Sequence, residues 1–220
     1  MDIKKAIAQR HSVRSYTNKK IDGEVKEKLI NIIEECNKKS GLNIKLFLDE
    51  PKAFDTFMAH YGKFENVNNY IVLIGKKDKG TDEMCGYFGE EIVLKAQMLG
   101  LNTCWVALTY GKRKIPYDLK KDEKIYCTIA VGYGKTNGVK SKSKSIKEVV
   151  KNDDHMPDWF KDGIEAALLA PTATNQQKFI FDINEDKVSV HALKGFYSKL
   201  DLGIVKYHFE IGSNRKCFDI

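Results

Sequence analysis

The chain has 220 residues, of which 42% are hydrophobic, and its 37 Lys and Arg against 30 Asp and Glu give a formal net charge of +7. This length suits one large domain or two interlocked lobes, and no stretch approaches the roughly 20 apolar residues that span a bilayer. Five cysteines without a C-x-x-C pair exclude a disulfide framework and a zinc site, and the start of the chain lacks the apolar core of a signal peptide, so we expect a cytoplasmic protein.

Apolar spacing in the first 134 residues predicts helices that alternate with strands. Asn18 or Asp22 can cap a long amphipathic helix, Pro51 suits the first turn of a short one, and Gly100 can end a third in the left-handed conformation. The expected helices are 2–9, 22–38, 51–60 and 82–99, and the expected strands are 44–49, 69–75, 102–109 and 125–134.

The polar stretch at 136–145, TNGVKSKSKS, is the predicted linker between two lobes, 1–150 and 151–220. A helix, a polar turn and a strand then recur, which predicts an internal duplication of half-domains with similar construction. The expected elements are a helix at 157–170, strands at 178–184 and 187–193 joined through Glu185 and Asp186, and a helix at 200–214.

Two polar segments could bind a ligand. Arg10, Ser12 and Arg14 could hold a phosphate with guanidinium and hydroxyl donors, although cations are also ordinary at the end of a helix. In the segment A-P-T-A-T-N-Q-Q at 170–177, small and amide side chains could reach the edge of a planar heterocycle. An ordinary turn would have a similar composition.

Two further segments are less specific. Trp105 and Val106 follow Gly100 in a strand that is either plain core or the wall of a ligand pocket. Lys142 and Lys144 lie in a Lys–Ser run, which is either a solvated linker or a pair of cations that reaches a phosphate.

The motifs of several other protein classes are absent. The sequence has no P-loop, no G-x-S-x-G and no G-x-G-x-x-G, so a Rossmann NAD site is not expected. The lysines are scattered and no aromatic residues alternate with them, which does not favour nucleic-acid binding. None of the histidines has the spacing of metal ligands, so we expect no metal site; they are His11, His60, His155, His191 and His208.

Together these segments resemble the FMN-dependent nitroreductase family. R-H-S-V-R-S-Y is similar to the family's R-x-S-x-R-x-F/Y, A-P-T-A-T-N-Q-Q to A-P-S-x-x-N-x-Q, L-G-L-N-T-C-W to G-L-G-T-C-W, and K-S-K-x-x-x-E-V-V to a late basic segment. The resemblance implies an α+β nitroreductase-like fold and assigns FMN binding to Arg10, His11, Ser12, Arg14, Trp105, Val106, Lys142, Lys144, Pro171, Thr172, Thr174, Asn175 and Gln177.

The order of these segments departs from the family pattern. In ordinary members A-P-S-x-x-N follows the first long helix, whereas here it lies in the second half, and Lys178-Phe179 replaces the usual Pro-Trp. Family members are usually dimers with flavin at the interface. The resemblance therefore implies a fused pseudo-dimer with one flavin site, which is a monomer or a weak homodimer.

The resemblance also implies an activity. NAD(P)H would reduce the flavin, and a nitroaromatic, a quinone or a similar small molecule would take the electrons, with Arg14 as the catalytic residue at the N1–O2 edge of the ring. No side chain stands out as a general acid. The alternative is a flavin-binding storage or sensor protein without turnover, since only one of two sites is kept.

Overall fold

The computed structural model describes residues 1–152 and 156–220. Its helices are α1 (Ile3–Gln9), α2 (Gly23–Ser40), α3 (Phe57–Tyr61), α4 (Thr81–Met98), α5 (Asp158–Ala167) and α6 (Ser198–Ser213). Its strands are β1 (Lys45–Phe47), β2 (Tyr70–Lys76), β3 (Asn102–Val106), β4 (Glu123–Gly132), β5 (Phe179–Asn184) and β6 (Lys187–Ala192).

The strands form two antiparallel sheets, with the orders β1-β2-β4-β3 and β5-β6. The β2 strand is buried on both faces. Alternate side chains of a strand point to opposite sides of a sheet, and here each side packs into a core. Ile71 and Leu73 join the core beneath the helices, and Val72 and Ile74 join a second core on the opposite face. This arrangement of helices and antiparallel sheets confirms the α+β prediction.

The centre of the molecule is the contact between α4 and α6, at which two glycines allow the helix backbones to meet. A Cβ atom on Gly86 would lie 2.0 Å from the Leu200 carbonyl oxygen, and one on Gly203 would lie 1.9 Å from the Glu83 carbonyl oxygen. Any larger side chain at these positions would separate the helices. Because α4 belongs to the first half of the chain and α6 to the second, this contact joins the two halves.

Several predicted features are confirmed. Gly100 has φ 81°, the left-handed conformation expected after α4. Glu185 and Asp186 form the two-residue connection between β5 and β6, with Asn184 opposite Lys187. The chain that follows the predicted linker joins the second sheet, because the Phe181 N–H donates to the Val149 carbonyl and the Lys151 N–H donates to the Phe181 carbonyl.

The prediction of a helix at 51–60 is wrong, because residues 51–55 form a turn and α3 begins at Phe57. Thr56 is extended (φ −141°, ψ 155°), and its hydroxyl accepts a hydrogen bond from the Ala59 N–H, as an N-cap does. The strands predicted at 44–49 and 102–109 are shorter than expected. Asp49 takes a left-handed φ of 51°, which ends the first of them.

No helix in residues 1–152 or 156–220 combines the length and the apolar character that crossing a membrane requires.

Candidate functional site

A cavity of about 420 Å³ lies between the N-terminal segment, strands β3 and β4, the linker, the turn after α5 and the start of α6. This volume is within the range of small-molecule sites, about 300–1,000 Å³. Most of the predicted site residues line it, namely Arg10, His11, Ser12, Arg14, Trp105, Pro171, Thr172, Thr174 and Asn175. The cavity thus brings together the two segments that the sequence places about 160 residues apart.

The N-terminal segment is held beside β3 in an extended conformation. Ser12 pairs with Thr103 in parallel, and the Val13 N–H donates to the Thr103 carbonyl at 3.0 Å. Alternate side chains of an extended chain point to opposite sides, so Val13 enters the core while Ser12 and Arg14 face the cavity. The spacing R-x-S-x-R therefore has the period of an extended strand.

Arg10 is buried (8% exposed), and burial lowers the pKa of its guanidinium, which nevertheless stays charged. Its Nε lies 3.9 Å from Glu90 Oε1, which is too far for a hydrogen bond, and has no hydrogen-bond partner in the described residues. Glu90 is engaged elsewhere, since its carboxylate accepts from Trp105 Nε1 at 2.9 Å and contacts His208 Nε2 at 2.8 Å. A buried cation with an unused donor beside a cavity suits an anionic ligand.

The turn after α5 is strained and is tied to its neighbours by hydrogen bonds. Thr174 and Asn175 have left-handed φ angles of 51° and 55°, which are rare for residues other than glycine, and for a β-branched residue such as Thr174 above all. Asn175 Nδ2 donates to the Lys142 carbonyl at 2.6 Å, and the Ala173 N–H donates to Asp201 Oδ1 at 2.9 Å. Strain held by surrounding contacts is typical of functional loops.

Four predicted site residues do not line the cavity: Val106, Lys142, Lys144 and Gln177. Gln177 is buried, where its Nε2 donates to the Leu168 carbonyl and its Oε1 accepts from the Lys144 N–H. Lys144 Nζ donates to the Gln177 carbonyl at 2.8 Å, so this ammonium already has a partner. The contacts of these four residues with a flavin stay predictions, and in the structure Gln177 and Lys144 bind the linker to the turn.

The structure also adds cavity residues that sequence reasoning missed. Lys140 lines the cavity and lies two positions before Lys142 in the same Lys–Ser run, so the run could have indicated Lys140 as a site residue. Cys104 and Cys127 line the wall formed by β3 and β4; burial raises the pKa of both thiols, that of Cys127 to about 12, so they stay protonated. Asp201 on α6 had no sequence signal, because only packing brings α6 to the cavity.

No cluster of His, Cys, Asp and Glu able to hold a metal ion occurs in the described part of the chain. His11 lines the cavity, and burial together with the charge of Arg10 lowers the pKa of its ring. His155, one of the histidines with no metal-ligand spacing, lies outside the described residues.

A model of the protein family described as “Putative TM nitroreductase” matches residues 2–213. Among solved structures, one described as a “putative nitroreductase” from Thermotoga maritima is 25% identical, with a TM-score of 0.70, 96% of this chain covered and 83% of the other. No curated protein matches the chain significantly.

Two other solved structures share the fold at lower identity. A structure described as a “putative nitroreductase” in complex with FMN, from Desulfovibrio desulfuricans, is 18% identical, with a TM-score of 0.56, 71% of this chain covered and 99% of the other. A structure described as a “putative NADH oxidase” from Clostridium acetobutylicum is 22% identical, with a TM-score of 0.51, 66% of this chain covered and 96% of the other.

Proposed function

The chain belongs to the nitroreductase family whose model spans it, and from that premise we propose that it is an FMN-dependent oxidoreductase. It passes reducing equivalents from NAD(P)H through flavin to a nitroaromatic, a quinone or a similar small acceptor. One observation supports this proposal above the others. A buried arginine with an unused donor, Arg10, faces a cavity of cofactor size at the junction of the two halves of the chain.

The residues around the cavity fit FMN by their chemistry. Arg10 and Ser12 would hold the phosphate and the ribityl chain, and Arg14 would place its cation at the ring edge that becomes anionic on reduction. Pro171, Thr172 and Thr174 would contact the ring from the second half of the chain. Trp105, fixed to Glu90 by its indole N–H, would form part of the opposite wall.

The protein's part in the reaction is to bind and orient the flavin and its substrates and to exclude water. When bound, FMN supplies a ring that takes a hydride from NAD(P)H and returns two electrons to an acceptor. Arg14 lines the cavity, so its cation would stabilise the negative charge that develops at the ring edge when the flavin is reduced.

The proposal includes the architecture. Lobes 1–150 and 151–220 would correspond to the two subunits of an ordinary family dimer, fused into a pseudo-dimer that keeps one flavin site. Two features support this view, namely the close contact of α4 with α6 and the composition of the cavity from both halves. In the same view the fused chain is a monomer or a weak homodimer in the cytoplasm.

The visible spectrum of the purified protein tests the function directly. It is recorded before and after FMN is added and excess flavin removed, and then after anaerobic addition of NADH. Retained flavin bands that NADH bleaches, and that return when menadione or nitrofurazone is added, would support the oxidoreductase. Flavin that is retained but not bleached would favour a storage or sensor protein, and a protein that retains no flavin would contradict both.

A further inference from the structure

Among the described residues that line the cavity, Asp201 is the one acidic residue. It lies in the first turns of α6 and is 4% exposed. Asp201 lines the cavity from α6, and Cys127 lines it from β4. A ligand between α6 and the sheet would therefore meet this carboxyl group.

The hydrogen bonds of Asp201 leave it able to donate a proton. Its Oδ2 accepts from Gln176 Nε2 at 2.7 Å and from the Ala173 N–H at 3.1 Å, whereas its Oδ1 accepts from the same N–H at 2.9 Å. A carboxylate oxygen has two lone-pair sites. In the described part of the chain Oδ1 uses one of them, so the other can hold a proton.

The protonation state of Asp201 suits that role. Burial raises the pKa of its carboxyl to about 6, and the hydrogen bonds from Gln176 and Ala173 oppose the rise without cancelling it. A general acid works best when its pKa lies near the working pH. The other titratable and charged groups that face the cavity are Arg10, His11 and Arg14 of the N-terminal segment, Cys104 of β3, Cys127 of β4, Lys140 of the linker and Tyr197 beside Asp201.

We propose that Asp201 is the general acid that protonates the electron acceptor in this cavity. Reduction of a quinone to a hydroquinone takes two electrons and two protons. A hydride equivalent, which originates from NAD(P)H, supplies both electrons and one proton. The second proton passes from Asp201 Oδ1 to an oxygen of the acceptor, and the carboxylate regains a proton from solvent. This inference rests on the proposed function.

Stopped-flow kinetics of the two half-reactions, recorded from pH 5 to 8, separate the roles. In the natural protein we expect oxidation of the NADH-reduced protein by menadione to slow as the pH rises above about 6, since the protonated acid is lost. Asp201→Asn should slow this step by about 100-fold at pH 5.5 and abolish its pH dependence. Reduction by NADH in the same variant reports whether the cavity is intact.

Gln176→Met is the matched variant, because it removes the hydrogen bond that lowers the pKa of Asp201 but leaves the carboxyl in place. In this variant we expect the pH at which acceptor reduction begins to slow to be higher than in the natural protein. His11→Asn should retain the pH dependence, because His11 is not the donor. If the pH dependence of acceptor reduction disappeared in His11→Asn and persisted in Asp201→Asn, the proposal would be overturned.

A measurement without turnover gives independent evidence. In FMN-free protein labelled with ¹³C at aspartate carboxyls, NMR should show one carboxyl that titrates near pH 6 and disappears in Asp201→Asn. A natural protein that neither retains FMN nor accepts electrons from NADH would refute the proposed function. Normal turnover with the same pH profile in Asp201→Asn would instead refute the role of Asp201 alone.

Discussion

Two arginines of one short segment have different environments and hence different expected roles. Arg10 is buried beside Glu90, whereas Arg14 is exposed, with its guanidinium carbon 5.9 Å from the centre of the Phe64 ring. A buried cation with an unused donor favours permanent binding of a phosphate. An exposed cation at the cavity can respond to charge that develops during a reaction.

Replacing Arg14 with Ala should therefore leave FMN bound, because Arg10 and Ser12 remain, and should slow flavin reduction by NADH. A charge-assisted hydrogen bond contributes about 1.5–3 kcal/mol, which corresponds to roughly 10- to 100-fold in rate. Arg14→Lys, which keeps the charge, should slow flavin reduction less than Arg14→Ala does. Anaerobic stopped-flow absorbance measures both, and unchanged kinetics in Arg14→Ala would remove the role assigned to this residue.

Asp201 should make the stability of the protein depend on pH. Its folded-state pKa of about 6 exceeds the unfolded value of about 3.9, so the proton is held more tightly in the fold. The resulting stabilisation is complete below about pH 4 and is lost as the pH rises through 6, by roughly 3 kcal/mol. Urea unfolding of the natural protein and of Asp201→Asn between pH 4.5 and 7.5 tests this. Parallel stability curves would show that the pKa is not raised.

At the scale of elements, the site depends on helices that approach closely. Asp201 reaches the cavity because Gly86 and Gly203 let α6 pack directly on α4. The same two helices bear Glu90 and His208, whose contact at 2.8 Å links the helix pair to Trp105 in the cavity wall. The position of the wall is thus set by backbone contact rather than by a loop.

Ala at Gly203 or Gly86 should destabilise the fold, because the new Cβ atom would overlap backbone atoms that cannot move independently. Overpacking of this kind costs about 1–3 kcal/mol, or roughly 2–12 °C in Tm for a chain of this size. The control is Glu34→Ala on the exposed face of α2, for which we expect little change. Differential scanning calorimetry compares them, and a Gly203→Ala variant as stable as this control would contradict the packing argument.

At the scale of the whole molecule, the cavity depends on both halves of the chain. The first half provides the arginines and the sheet wall, and the second provides the strained turn and Asp201. A ligand that fills the cavity should consequently stabilise the halves together, since ligand that binds only the folded state raises its stability by mass action.

We expect FMN to bind at one molecule per chain and to stabilise the fold by about 2.7 kcal/mol at 100 times its Kd. Riboflavin, which lacks the phosphate, should stabilise less, because it leaves Arg10 without an anion. Calorimetric titration gives the stoichiometry, and thermal melts compare the two ligands. Equal stabilisation by both would contradict the assignment of Arg10 to the phosphate.

The local elements were predictable, because each follows from residues close in sequence. The apolar run of β2, the glycine after α4 and the two-residue turn between β5 and β6 are examples. The R-x-S-x-R segment was also recognisable as a possible phosphate site, because its guanidinium and hydroxyl donors lie close together in sequence. The error at 51–60 shows the limit of such inference, because a capping hydroxyl at Thr56 outweighed the proline expected to begin the helix.

By itself, the sequence determined which segments form helices and strands and which of them could bind a phosphate or a heterocycle, because period and residue chemistry are local properties. Only the tertiary structure decided that Arg10 is buried without a full partner and that Asp201 joins the site. It also decided that Gln177 and Lys144 tie the linker to the turn. Burial and hydrogen-bond partners come from residues far apart in the chain, so they emerge only when α6 packs on α4 and closes the cavity.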